Sequence, residues 1–205
     1  IQEIAYFYEK KIDSSDVLKA LSLVSGEYFL VSAHRQENVD SPERLNSLIE
    51  TLVNIQKKWN LPVLVSTHPR TRKLLENSPS SKNLTGIVFH EPFGFLDYNK
   101  LQKNAKCVIS DSGTISEESL IMNFPAITIR DSMERPEALD AGGILMTGLQ
   151  SDEVIRGIEF TLNARAANKI ILPAEYLVND CSNRVVNFML STMNRHHEWL
   201  GVRKS

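Results

Sequence analysis

Cysteine is scarce. Among 205 residues only Cys107 and Cys181 occur, and Cys107 lies in an apolar, strand-like run that reads as a buried thiol. A disulfide framework is therefore excluded as the source of the fold. Long apolar runs are missing too: no stretch reaches the 18 or more residues a membrane-crossing helix needs, so no membrane span is expected. No secretory leader pattern is present, and the expected location is cytoplasmic. An excess of charge of one sign is also lacking. Lys and Arg number 23 against 25 Asp and Glu, a formal net charge of -2, which argues against a general nucleic-acid binder. His34, His68 and His90 have no cysteine partners at metal-ligand spacing, so no metal is expected. Internal repeats and low-complexity segments are absent.

What is present is ordinary for a globular chain: 42% apolar and 23% charged residues, with enough length to enclose a core. Residues 28–33, "YFLVSA", read as a strand. Ser41 is placed as an N-cap before Pro42 at the first helical position. Leu45, Leu48, Ile49, Leu52 and Val53 then form one apolar stripe at helical spacing, and Asn60-Leu61-Pro62 ends that helix. Further strands follow at 63–67, 86–90, 106–110, 126–130 and 144–146. Helices are expected at about 70–76, at 96–104, at 114–123 closed by Asn123 and Pro125, and from a Ser151 cap to about 164. The strands are continuous apolar runs rather than alternating ones, as in a parallel sheet covered on both faces. Strict alternation of strand and helix gives a doubly wound α/β domain. The chain divides into a leading helix or linker (1–25, with Leu18 and Leu21 inward), the α/β domain (26–165), and a connector with a C-terminal helix (166–205). That helix, over 181–200, carries Val185, Phe188, Met189 and Met193 on one face, which must pack on something. The chain begins at Ile1 rather than Met, so a fragment of a longer protein is expected.

Ligands of an open parallel sheet bind beyond the carboxyl ends of its strands. The residues there are His34, Arg35, Glu37 and Asn38; His68, Pro69 and Arg70; His90 and Glu91 with the loop to Tyr98; Asp111, Ser112 and Gly113; and Arg130 to Glu137. In "VISDSGTISEESL" (108–120) a strand hands over to a helix through a hydroxyl and a glycine. Unpaired amides and the positive end of a helix suit a phosphate or diphosphate. Gly113 admits close approach to the backbone, and Glu117 or Glu118 one turn on can accept from a ribose diol. The alternative is that Asp111 or Ser112 merely caps the helix. Arg135 before Pro136 is held extended, suited either to a phosphate fork or to an Arg–Glu network with Glu134 and Glu137. His34 is either a proton-transfer or phosphate group or a hydrogen-bonded structural residue, and His196-His197 read as solvated surface.

Four stretches, "SAHRQEN", "STHPRT", "ISDSGTISEES" and "IRDSMERPEALDAGG", occur in this order at helix-sized spacing. Together they resemble the non-hydrolysing UDP-N-acetylglucosamine 2-epimerases over most of residues 28–160. The resemblance implies the C-terminal half of a GT-B-type fold of two Rossmann-like domains, with a UDP-sugar in the cleft between them. It implies a catalytic His34 near the diphosphate, supported by Arg35, Glu37 and Asn38, and a diphosphate turn at Ser112, Gly113 and Thr114. It implies Glu118 on the ribose hydroxyls, Tyr98 with its backbone at the uracil, and Arg135 on the phosphate side between Glu134 and Glu137. His68 would belong to a second, regulatory UDP-sugar site. No cofactor is implied. The partners implied are the UDP-sugar substrate, the N-terminal domain of the same protein and, in the full-length protein, a second copy. Thr114 departs from the D-S-G-G of many members. With "FGFLDYNKLQ" at 93–102 it is more similar to the branch that makes UDP-N-acetyl-L-fucosamine for capsule and O-antigen. The alternative function is the UDP-sugar-binding half of a GT-B glycosyltransferase.

Overall fold

The computed structural model describes the chain except residues 36–40, 68–83, 134–135, 168–171 and 202–205 and the side chain of His196. The helix expected at 70–76, together with Glu37, Asn38, His68, Pro69, Arg70, Glu134 and Arg135, lies outside the described residues.

Apolar β-branched runs place β1 (Phe29–Ser32), β2 (Val63–Ser66), β3 (Ile87–His90), β4 (Cys107–Ser110), β5 (Ala126–Thr128) and β6 (Leu145–Met146) in one parallel sheet. Its order is β3-β2-β1-β4-β5-β6, the doubly wound Rossmann arrangement. β1 lies between β2 and β4 with Phe29 level with both Val63 and Cys107, so the strand ends form one even edge. β5 stops at Thr128, short of the expected Arg130, although Ile129 still donates to the Ser110 carbonyl at 3.1 Å.

Successive side chains along each strand point to opposite faces, and both faces are covered. On one, Phe29, Val31, Val63, Val65, Ile109 and Ile127 meet Leu48, Leu52 and Ile55 of α3 (Pro42–Trp59) and Val154 and Ile158 of α7 (Ser151–Ala166). On the other, Leu30, Leu64 and Val108 meet Val17 of α2 (Val17–Ala20), Leu101 of α4 (Phe95–Asn104), and Ile115 and Leu120 of α5 (Ile115–Ile121). Each such aliphatic side chain contributes about 1.5–3 kcal/mol by leaving water. Leu18 and Leu21 pack inward, as expected, while α1 (Gln2–Asp13) packs against α4 and α5.

The caps follow local chemistry. Ser41 Oγ accepts from Arg44 N–H at 3.4 Å, and Asn60 closes α3 in the left-handed conformation. At α7 the expected cap is corrected. Gln150 holds the N-cap position, and Ser151 is the first helical residue, its Oγ accepting from Asn54 Nδ2 at 2.9 Å. After α6 (Glu137–Asp140) and the 3₁₀ turn Ala174–Leu177, the expected helix over 181–200 is two pieces. These are α8 (Cys181–Thr192) and α9 (His196–Trp199), with a turn between. Within this chain the apolar face of that helix is exposed: α8 buries no residue, and Val185, Phe188, Met189 and Met193 all meet solvent.

Candidate functional site

In this strand order the chain leaves β1 toward one side of the sheet and β4 toward the other, which opens a crevice between their carboxyl ends. His34 and Arg35 follow β1 at that point, and Asp111 to Thr114 follow β4. Asp111 is fully buried and ties the two loops together. Its carboxylate accepts from His34 N–H at 3.0 Å and Arg35 N–H at 2.9 Å, and faces His34 Nδ1 at 3.2 Å. Its own N–H donates to the Ser32 carbonyl at 3.1 Å. Asp111 is thus neither a helix cap nor a solvent-facing ligand. The half-exposed His34 ring is anchored through Nδ1, which leaves Nε2 for anything that enters the crevice.

The turn after Asp111 is held by its neighbours. Ser112 N–H donates to Ser110 Oγ at 3.0 Å, and Ser112 Oγ lies 3.1 Å from Thr114 Oγ1. Thr114 occupies the N-cap position of α5 without a side-chain cap bond, but Ser112 Oγ accepts from Thr114 N–H at 3.4 Å and the Ser112 carbonyl from Ile115 N–H at 3.5 Å, so Ser112 holds the entry to the helix as the capping alternative expected. A Cβ built on Gly113 would lie 3.7 Å from Arg35 Nη2 and 3.9 Å from Arg130 Nη1. Two guanidinium groups therefore flank the glycine, an arrangement suited to an anion.

One turn along α5, Glu118 is the acid of this site. Its carboxylate accepts from Thr114 Oγ1 at 2.7 Å and from Gln102 Nε2 at 2.8 Å. Glu117 and Glu137 instead line a separate cavity of about 820 Å³ with Ile1, Glu3, Tyr176 and Cys181, so Glu137 is not brought to the crevice. The Tyr98 phenol lies beneath the site. Burial pushes it up to about 12, the negative charges of Glu118 and Asp111 add to this, and a hydrogen bond with Ser32 opposes it. Its ring is partly buried against the second core, and its backbone N–H donates to the Gly94 carbonyl at 2.9 Å. His90, the last residue of β3, stacks on Phe93 with centroids 4.1 Å apart. His197 is exposed, as expected. Among the described residues no cluster of potential ligands would hold a metal ion, and no helix is long and apolar enough to cross a membrane.

Gln102 escaped the sequence reading, and Asp111 and Arg130 were placed at strand ends without their roles. The roles of Asp111 as a brace, of Arg130 beside Gly113 and of Gln102 beside Glu118 depend on contacts between distant segments. Asp111 and Arg130 carried a local signal, as charged residues close after apolar strands, whereas Gln102 carried none.

A doubly wound parallel sheet with histidine, arginine and a glycine turn at its switch point defines a Rossmann-like α/β domain. The sequence profile of the UDP-N-acetylglucosamine 2-epimerases matches residues 2–190, and the chain belongs to that family. It is 36% identical over 146 residues to the UDP-N-acetylglucosamine 2-epimerase of Methanocaldococcus jannaschii, covering 70% of this chain and 40% of the relative. Its fold is similar to that of the Rickettsia bellii UDP-N-acetylglucosamine 2-epimerase, with a TM-score of 0.83 and 38% identity over 94% of this chain and 53% of that one. A structure of the Methanocaldococcus jannaschii enzyme in complex with UDP-GlcNAc and UDP matches with a TM-score of 0.80 and 31% identity, covering 93% and 52%. The chain spans about half the length of the relatives it matches.

Proposed function

We propose that this chain is the UDP-binding part of a UDP-sugar 2-epimerase, corresponding to the C-terminal of two Rossmann-like halves. The observation that carries this is the turn at Asp111 to Thr114, with Gly113 between two guanidinium groups and Glu118 one turn further on, in a member of this family. The diphosphate lies against Ser112, Gly113 and Thr114, and the ribose hydroxyls meet Glu118. The backbone at Tyr98 meets the uracil. UDP-N-acetylglucosamine is the favoured substrate, because the relatives at 36% and 38% identity carry that name.

The reaction eliminates UDP from C1 as the C2 proton leaves, then adds it back with the proton returned to the opposite face. The departing diphosphate gains negative charge as the C1–O bond breaks. Arg35, Arg130 and the anchored His34 stand where they stabilise it, and such preorganised groups are often the largest contribution to catalysis. No nicotinamide and no metal is required. The groups that move the C2 proton belong to the other half of the protein. Arg135 acts on the phosphate side with Glu134, and Glu37 and Asn38 support His34. His68 serves a second UDP-sugar site. The whole enzyme is cytoplasmic and homodimeric, and supplies a 2-acetamido sugar for capsule or O-antigen.

Titration of the 205-residue chain with UDP tests the reading. Weak binding is expected, lost in Glu118→Ala and His34→Ala, with no epimerisation of UDP-N-acetylglucosamine by the chain alone. Absence of UDP binding overturns the site, and clear turnover overturns the division of labour between the halves.

A further inference from the structure

We infer that Thr114 and Gln102 are positioning residues that hold the Glu118 carboxylate ready for a vicinal diol, and so set the preference for a ribose over a 2′-deoxyribose nucleotide. This rests on the reading of the crevice as a UDP site. Glu118 is approached from two elements: Thr114 Oγ1 donates to Oε1 at 2.7 Å, and Gln102 Nε2, from α4, donates to Oε2 at 2.8 Å. Each carboxylate oxygen therefore holds one bond within the protein. An ionised carboxylate has about four acceptor positions, which leaves each oxygen one further position for a hydroxyl. A vicinal diol presents two hydroxyls side by side, one for each oxygen.

Gln102 supplies a second observation. It is 1% exposed, yet its Oε1 has no hydrogen-bond partner among the described residues. A buried amide oxygen left unbonded is costly, and turning the amide over would set that oxygen against a carboxylate. The glutamine is held in an unfavourable setting by what its nitrogen does for Glu118. The contact of Thr114 Oγ1 with Ser112 Oγ at 3.1 Å extends the chain of bonds from Glu118 to the diphosphate turn, so the ribose and the diphosphate meet one prearranged unit. A side chain already fixed loses less freedom on binding than a mobile one.

The test compares UDP with 2′-deoxy-UDP by calorimetry or amide-shift titration, using wild type, Thr114→Val, Thr114→Ser and Gln102→Met. Thermal melting verifies that each variant is folded. Wild type favours UDP. In Thr114→Val and Gln102→Met that preference falls about tenfold, in Gln102→Met with 2′-deoxy-UDP affinity changed by less than about threefold, and Thr114→Ser restores the preference. A purely structural role would weaken both ligands alike. Wild-type binding of UDP with an unchanged preference in both variants overturns the inference alone. Failure of wild type to bind UDP overturns the functional reading and the inference with it.

Discussion

At Gly113 the backbone makes no demand that alanine fails to meet. Its φ is not in the left-handed range, and a Cβ there would find only ordinary contacts at 3.7 and 3.9 Å. The glycine matters for the room it leaves. Gly113→Ala is expected to be as stable as wild type, or more so by about 0.5 kcal/mol through a less flexible unfolded chain. Its UDP affinity should fall about tenfold or more, equivalent to ~1.4 kcal/mol. Melting and calorimetry on the same sample decide the matter, and a stable variant with undiminished affinity would place the diphosphate elsewhere. Asp111 presents the opposite case. Asp111→Ala leaves two backbone N–H groups and an imidazole without their acceptor in a partly buried place. A loss of about 3 kcal/mol in folding free energy is expected from denaturant unfolding. Asp111 was legible as a residue at a strand end but not as a brace, because its partners are 76 and 77 positions away.

Elements were legible where one periodicity was decisive. The stripe on α3 and the unbroken apolar strands identified the sheet and one of its covers, because burial on both faces leaves no polar alternation to misread. Periodicity failed where it had to name a partner. The apolar face of α8 is present in the sequence, but no residue of that helix is buried, since a stripe records amphipathicity and not what covers it. Nor does a propensity scale detect the close approach at Gly157. Alanine within α7 is favoured over glycine by about 1 kcal/mol in helix propensity alone. A Cβ at Gly157 would, however, meet Thr147 Cγ2 at 2.6 Å. Thr147 is β-branched, and its hydroxyl is engaged with the Thr128 and Gly148 carbonyls, so it has little freedom to turn aside. Overpacking of this kind costs about 1–3 kcal/mol. Gly157→Ala is therefore expected to lower the melting temperature, and a rise would show that the contact between α7 and Thr147 yields more easily than the geometry implies.

For the whole molecule, the groups that the core encloses set its behaviour in alkali. Complete burial pushes the Cys107 thiol up from 9.0 to about 12, only partly opposed by the charge of Arg165. Burial likewise pushes the Tyr98 phenol from 10.0 to about 12, and Tyr28 is raised as well. Below pH 9 folded and unfolded chains both keep these protons, so stability does not depend on them. Between about pH 9 and 12 the unfolded chain releases protons that the folded chain retains. The unfolded state gains, and stability falls by about 1.4 kcal/mol per pH unit for each group that has begun to titrate. The decline should begin near pH 9, where the unfolded thiol ionises, and steepen near pH 10 as the phenols join. In Cys107→Ala the onset should move to about pH 10, at a baseline lowered by the lost packing. Urea midpoints taken at half-unit steps from pH 8 to 11 measure both features, and an onset at the same pH in the variant would assign the alkaline loss to other groups. The same burial separates the two thiols chemically. At pH 8 iodoacetamide should add once to the native chain, at the exposed Cys181, and twice only after unfolding. A second adduct on the native protein would mean that the sheet opens at β4, the strand that carries the Asp111 turn.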